Sequence, residues 1–106
     1  MRDVCKTILI GTVVDAPVTR YLETIGGAVT NLIVESVKTW KDRAGAEKSR
    51  ASKHMVCVFG KQADMAARLE VGQRVWAECD IVYKPGNTPG TTKTELQAQY
   101  LSPWEG

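Results

Sequence analysis

A chain of 106 residues, 43% hydrophobic and 25% charged, has material for one core and is too short for two ordinary domains. Its formal net charge of +2 singles out no partner, and no apolar run approaches the roughly 20 residues of a membrane-spanning helix. Met1 to Lys6 is not followed by the apolar stretch of a secretory leader, because Gly11 and Thr12 interrupt Ile8 to Ile10; the expectation is one soluble domain over residues 1–106, with no membrane partner.

Val4 to Val14 is rich in β-branched residues and reads as a first strand, with Ile8 and Ile10 on one face and Leu9 and Val13 on the other. A glycine inside a strand marks a bend or a close backbone approach, which makes Gly11 a feature of a curved wall. Asp15-Ala16-Pro17 breaks the run, Val18 to Leu22 extends briefly, and Gly26-Gly27 suits a tight return. Ala28 to Trp40 is the longest strand-like run. Ala28, Thr30, Leu32 and Val34 form its expected core face, and Asn31, Ile33, Glu35 and Val37 the opposite one.

Lys41 to Ser52 reads as a projecting loop. Between Lys38 and Lys53 six cations stand against Asp42 and Glu47, a local charge of +4, so the rest of the chain sums to −2. Concentrated positive charge is what a polyanion requires, although mixed charge also serves to keep a loop solvated. Lys53 to Phe59 alternates again, with His54, Val56 and Val58 inward and Lys53, Met55, Cys57 and Phe59 outward. A helix is expected over Lys61 to Glu70, stopped at Gly72. Arg74 to Val82 turns Trp76, Glu78 and Asp80 outward, Tyr83 to Lys93 reads as a flexible hairpin loop, and Thr94 to Leu101 is the last strand, with Leu96 and Ala98 inward.

Three strands, a short helix and two strands is the order of an OB-fold, an all-β, five-stranded Greek-key barrel with its helix between the third and fourth strands. Cys5, Cys57 and Cys79 lack a CxxC pair, and His54 is the single histidine. No metal, disulfide or cofactor is expected, and the cysteines read as small buried or half-buried side chains in a reducing compartment. No Gly-x-x-x-x-Gly-Lys loop or nucleophile–base pair is visible, so no enzyme is expected.

Val4-Cys5-Lys6-Thr7-Ile8-Leu9-Ile10-Gly11, Pro17, Arg20-Tyr21, Gly26-Gly27-Ala28-Val29 and Asn31 open the chain. Trp40-Lys41-Asp42, Gly45, Glu47-Lys48, His54, Phe59-Gly60-Lys61 and Val71-Gly72-Gln73-Arg74-Val75 follow. In order and spacing the chain resembles the bacterial single-stranded DNA-binding proteins over nearly its whole length. The resemblance implies an OB-fold homo-oligomer, dimer or tetramer, that binds single-stranded DNA in replication, recombination or repair, in the bacterial nucleoid or in the host cytoplasm of a phage or plasmid.

By that resemblance Trp40 and Phe59 stack bases, beside the cations Lys41, Arg43, Lys48, Arg50, Lys53, Lys61 and Lys84, with Met55 and Tyr83 on the same surface. His54, Trp76 and Lys6 fall at subunit contacts. Both rings also suit a covering role on the barrel, and Arg20 and Tyr21 suit surface packing as well as DNA. Lys53 stands where the family commonly has a second stacking tryptophan, which shifts the expected grip toward phosphates and salt dependence. The final Ser102-Pro103-Trp104-Glu105-Gly106 has no glycine-rich linker and acidic tip for recruiting partners. In this it resembles phage or plasmid versions and primosomal replication protein N, whose OB module works through contacts with replication-restart proteins. Trp104 is a fraying end, a packed anchor or a partner contact.

Overall fold

The computed structural model describes residues 2–104. Its elements are β1 (Thr7–Val13), β2 (Val18–Leu22), β3 (Gly27–Lys41), β4 (Glu47–Phe59), α1 (Lys61–Ala67), β5 (Arg74–Pro85) and β6 (Thr92–Pro103). One sheet runs β1-β5-β6-β4-β3-β2, and a further β1–β3 pairing closes it. The closure is short, Thr12 opposite Glu35 and Val13 opposite Val34. After the break at Asp15 to Pro17, β2 takes over the same edge of β3, from Val18 opposite Asn31 to Leu22 opposite Gly27. Strands β1, β3, β4, β5 and β6 thus form a closed five-stranded barrel with α1 between its third and fourth strands, and β4 runs parallel to β6. This is the OB-fold.

Alternation fills the barrel as read from the sequence. Thr30, Leu32, Val34, Val56, Val58, Val75, Ala77 and Cys79 are fully buried, and each buried Val or Leu contributes about 1.5–3 kcal/mol relative to exposure. The barrel mouth is plugged by Ala63, Ala66 and Leu69 from α1 and its end. The Thr30 hydroxyl donates to the Ala63 carbonyl at 2.8 Å, so the one buried polar side chain among the described residues is satisfied by the helix it supports. A bulge between Glu78 and Cys79 leaves Gln99 unmatched on β6. The Gln62 amide covers it, accepting from Leu101 N at 2.7 Å and donating to Gln99 O at 3.3 Å.

Closure depends on Gly11. A Cβ there would run into the Glu35 carbonyl oxygen and lie 2.9 Å from Val34 Cγ1, so the close approach expected of this glycine is the seam itself.

Several boundaries differ from the sequence reading. The basic segment is strand rather than loop: β3 and β4 stay in register from Val29 opposite Phe59 to Lys41 opposite Glu47, and only residues 42–46 turn. There Asp42 Oδ1 accepts from the amides of Ala44 and Ala46, both at 2.9 Å, and Gly45 takes φ 85°. The outer part of this arm hides its strand character because both faces are exposed, so no apolar alternation marks it. Similarly, β5 and β6 run on to Pro85 opposite Thr92, which puts Tyr83 and Lys84 on a strand. The first strand starts at Thr7, not Val4, and α1 ends at Ala67, where Arg68 and Leu69 donate three residues back and tighten the last turn.

Cys57 and Cys79 are buried as expected, but Cys5 is exposed. Burial, and for Cys57 a hydrogen bond to Glu95, push these two thiols up to about 12 and about 11, which leaves them inert at neutral pH. Trp104 is a packed anchor: its ring lies 5.2 Å from that of Trp76 and its amide donates to Arg74 O. The endmost Glu105-Gly106, part of the tail reading, lies outside the described residues, as does Met1.

Candidate nucleic-acid interface

On the outer face of β3 and β4, where side chains point away from the core, lies a groove of about 350 Å³. Phe59, Met55 and Val29 give it apolar walls, Arg20, Lys84 and Lys93 surround it, and Asn31, Cys57 and Glu95 line it as well. A second recess of about 440 Å³ shares Arg20, Asn31 and Met55 and continues toward Asp15, Val18 and Ile33. Phe59 and Met55 are 37% and 48% exposed. Both are large apolar side chains left substantially open to solvent where the groove lies. The groove draws on five strands, β2 to β6, because the parallel pairing that sets Cys57 opposite Gln97 brings the start of β6 and its partner Lys84 alongside Met55 and Cys57.

Charge in this groove is arranged, not merely accumulated. Lys84 Nζ lies 3.0 Å from Glu95 Oε2, Gln97 Nε2 donates to the same oxygen at 2.8 Å, and the Cys57 thiol donates to Glu95 Oε1 at 3.1 Å. Burial raises the Glu95 carboxyl, but the hydrogen bonds from Gln97, Lys84 and Cys57 outweigh it and bring the group down to about 2. Because the folded value lies below the ordinary 4.5, ionised Glu95 stabilises the fold above that pH. That contribution is lost as pH falls from about 4.5 toward 2. In acid-unfolding series the stability advantage of the wild type over Glu95→Gln is therefore expected to shrink across this window; an advantage constant from pH 6 to pH 2 would contradict the network.

The β3–β4 arm forms a second station. Trp40, 42% exposed, sits opposite Lys48, and Lys38 opposite Arg50. Lys38, Trp40 and Arg50 line one shallow recess, and Trp40 with Lys41 borders another. Strand alternation sets Trp40 on the face that continues the core side, whereas Phe59 is on the outer face. From Lys48, opposite Trp40, to Phe59 is roughly 36 Å at about 3.3 Å per residue. The two rings are separate platforms, not one surface.

Of the other residues read from the sequence, Arg43 is in the turn at the tip, Lys48 reaches back to Asp42 at 4.0 Å, and exposed Lys53 lies opposite Glu35. Lys61 opens α1 beyond the groove, and Tyr83 is exposed on β5 opposite Thr94. His54 is half-buried and hydrogen-bonded through Nε2 to Ser36 Oγ at 2.9 Å. Lys6 pairs with Glu78 at 3.4 Å, and Trp76 Nε1 donates to the same carboxylate at 3.3 Å; with Trp104 over it, the Trp76 ring is half-buried. The sequence reading did not single out Lys93, Glu95 or Asn31 for the site. Their signal is register between strands, β4–β6 for Lys93 and Glu95 and β3–β4 for Asn31, which no local pattern carries.

A closed barrel with Phe59 among cations on its outer face and Trp40 among cations on its arm has the architecture of an OB-fold binding protein. The single-strand binding protein family matches residues 4–102, and the chain belongs to that family, one of binding proteins rather than enzymes. Among solved structures, wild-type single-stranded DNA binding protein from Thermus aquaticus superposes with a TM-score of 0.83 at 28% identity, over 100% of this chain and 52% of that one. A deletion variant of the Thermus protein gives 0.83 at 29% identity, over 95% and 50%. The chain thus spans about half the length of these Thermus proteins. The Plasmodium falciparum single-stranded DNA-binding protein, solved in complex with single-stranded DNA, shares the fold with a TM-score of 0.86 at 23% identity, over 99% and 98%.

Proposed function

We propose that this protein binds and protects single-stranded DNA in replication, recombination or repair, stacking bases on Phe59 and Trp40 and holding phosphates with the surrounding cations. The carrying observation is Phe59, more than a third exposed in a groove rimmed by Arg20, Lys84 and Lys93. Every base has a π-face, so stacking of this kind tolerates most sequences. Lys41, Arg43, Lys48, Arg50, Lys53, Lys61 and Lys38 then lead phosphates along and around the arm, with Met55 and Tyr83 adding apolar contact. Exposed rings set among cations favour this reading over a module that works mainly through protein contacts.

Phosphate contacts make binding salt-dependent, by about −0.7 in the slope of log K against log salt per phosphate on a single strand. Three contacts would give a slope of roughly −2, and Arg50→Ala is expected to reduce it by about 0.7. Gel-shift titrations over a salt series test this; affinity that barely changes with salt overturns the phosphate part of the reading.

The protein works as a homo-oligomer, a dimer or a pair of dimers. Support comes from the outer face of β1, β5 and β6, where Ile8, Glu78 and Tyr100 lie side by side in register and Ile8 and Tyr100 are 57% and 49% exposed. Trp76, Lys6 and His54 are the further contact residues of this reading. Light scattering at micromolar concentration should give at least twice the 11.6 kDa chain mass; a monomer would refute it. Replication or restart proteins are the partner class, and the site of action is the cytoplasm or nucleoid.

A further inference from the structure

Glu95 is the one carboxylate lining the groove of Phe59 among the described residues, against the cations Arg20, Lys84 and Lys93, which leaves the lining a charge of +2. An acid is out of place in a groove for a polyanion, and this one is fixed there. Its Oε2 accepts from Lys84 Nζ at 3.0 Å and from Gln97 Nε2 at 2.8 Å, and its Oε1 from the Cys57 thiol at 3.1 Å. The donors come from β4, β5 and β6, so the carboxylate cannot swing aside without losing all three. The three cations are thereby made unequal. Lys84 is paired, although its side chain is 52% exposed, whereas Arg20 and Lys93 form no ion pair among the described residues.

We infer that Glu95 is a positioning residue that limits the grip of this groove on phosphate: it holds Lys84 in an ion pair, so that backbone phosphates fall mainly to Arg20 and Lys93. The inference rests on the reading of the protein as a binder of single-stranded DNA and deepens it. A phosphate that takes Lys84 must displace an acceptor already seated at 3.0 Å, and in approaching the ammonium it also approaches a like charge. An ion pair open to solvent on both sides would yield readily. Here the carboxylate side chain is only 20% exposed and keeps Gln97 and Cys57 as further donors, so that the pair persists. Its carboxyl, brought down to about 2, is ionised at neutral pH. A base stacked on Phe59 carries no charge and meets no such repulsion, so the groove admits the ring more readily than the backbone.

The test is a double-mutant cycle on oligo(dT) binding, measured by fluorescence anisotropy over a salt series for the wild type, Glu95→Gln, Lys84→Ala and the double variant. Glu95→Gln keeps the size of the side chain and removes its charge. It is expected to tighten binding by about twofold or more and to steepen the slope of log K against log salt by about 0.7, the share of one more phosphate. A role confined to holding the fold would not steepen that slope. In the Lys84→Ala background the gain from Glu95→Gln is expected to shrink by about twofold or more. Thermal melts establish which variants are folded; Glu95→Thr, which suits a strand, gives the same readout should the Gln variant melt below the assay temperature. A Glu95 variant that binds no tighter than the wild type overturns the inference. So does an equal gain with and without Lys84, which would make Glu95 a bare repulsive charge; both results leave DNA binding standing. A wild type that does not bind oligo(dT) at low salt overturns the underlying reading, and the inference with it.

Discussion

Phe59→Ala is expected to weaken binding of oligo(dT) by about 5- to 150-fold, and Trp40→Ala by a similar factor, with little change in melting temperature. Stacking contributes about 1–3 kcal/mol per base by alanine substitution, and each 1.4 kcal/mol is tenfold in affinity. Both rings are substantially exposed, 37% and 42%, so their removal opens no cavity in the core formed by Leu32, Val34, Val56 and Val58. Because the rings stand on separate platforms roughly 36 Å apart along the strand, their losses should add in the double variant, within about 0.5 kcal/mol, as for independent sites. Equilibrium titration with oligonucleotides long enough to reach both platforms measures this. Wild-type affinity in both single variants would contradict the stacking assignment.

Gly11→Ala is expected to do the reverse, lowering the melting temperature by roughly 5–20 °C while leaving the groove residues in place in the folded fraction. The added methyl has backbone on one side, the Glu35 carbonyl, and the fully buried Val34 on the other. Neither gives way without opening the short β1–β3 ladder that closes the barrel. Overpacking of this kind costs about 1–3 kcal/mol, and each kcal/mol shifts the midpoint of a domain this small by about 4–8 °C. Calorimetry on the pair decides it; an unchanged midpoint would mean that the seam is not tight.

The barrel was legible wherever one face of a strand is buried. Thr30 to Val34, Val56 to Val58 and Val75 to Cys79 alternate because every second side chain enters the core, and Gly11 stood out because a strand interior otherwise disfavours glycine. The outer arm was not legible as strand. From Val37 to Lys41 and from Glu47 to Ala51 both faces are exposed, so the hairpin is held by backbone pairing and by the Asp42 turn, and neither leaves an apolar period. The same limit separates the parts of the site. Trp40, Phe59, Met55 and the cations announce themselves by residue type and by resemblance to the family. Glu95 and Lys93 reach this groove only through the parallel β4–β6 pairing, a contact between strands far apart in sequence, and Asn31 through its place opposite Cys57. Lys84, counted from the sequence among the cations of the site, is held by Glu95 across the β5–β6 ladder.

Tryptophan fluorescence of the wild type, titrated with oligo(dT) at low salt, addresses the central claim most directly. Trp40 is 42% exposed and lies beside Lys38 and Arg50, whereas Trp76 and Trp104 pack on each other. A stacked base should therefore quench mainly Trp40. The account predicts saturable quenching that is largely lost in Trp40→Ala and needs higher oligonucleotide concentrations in Phe59→Ala; no quenching at low salt would contradict it.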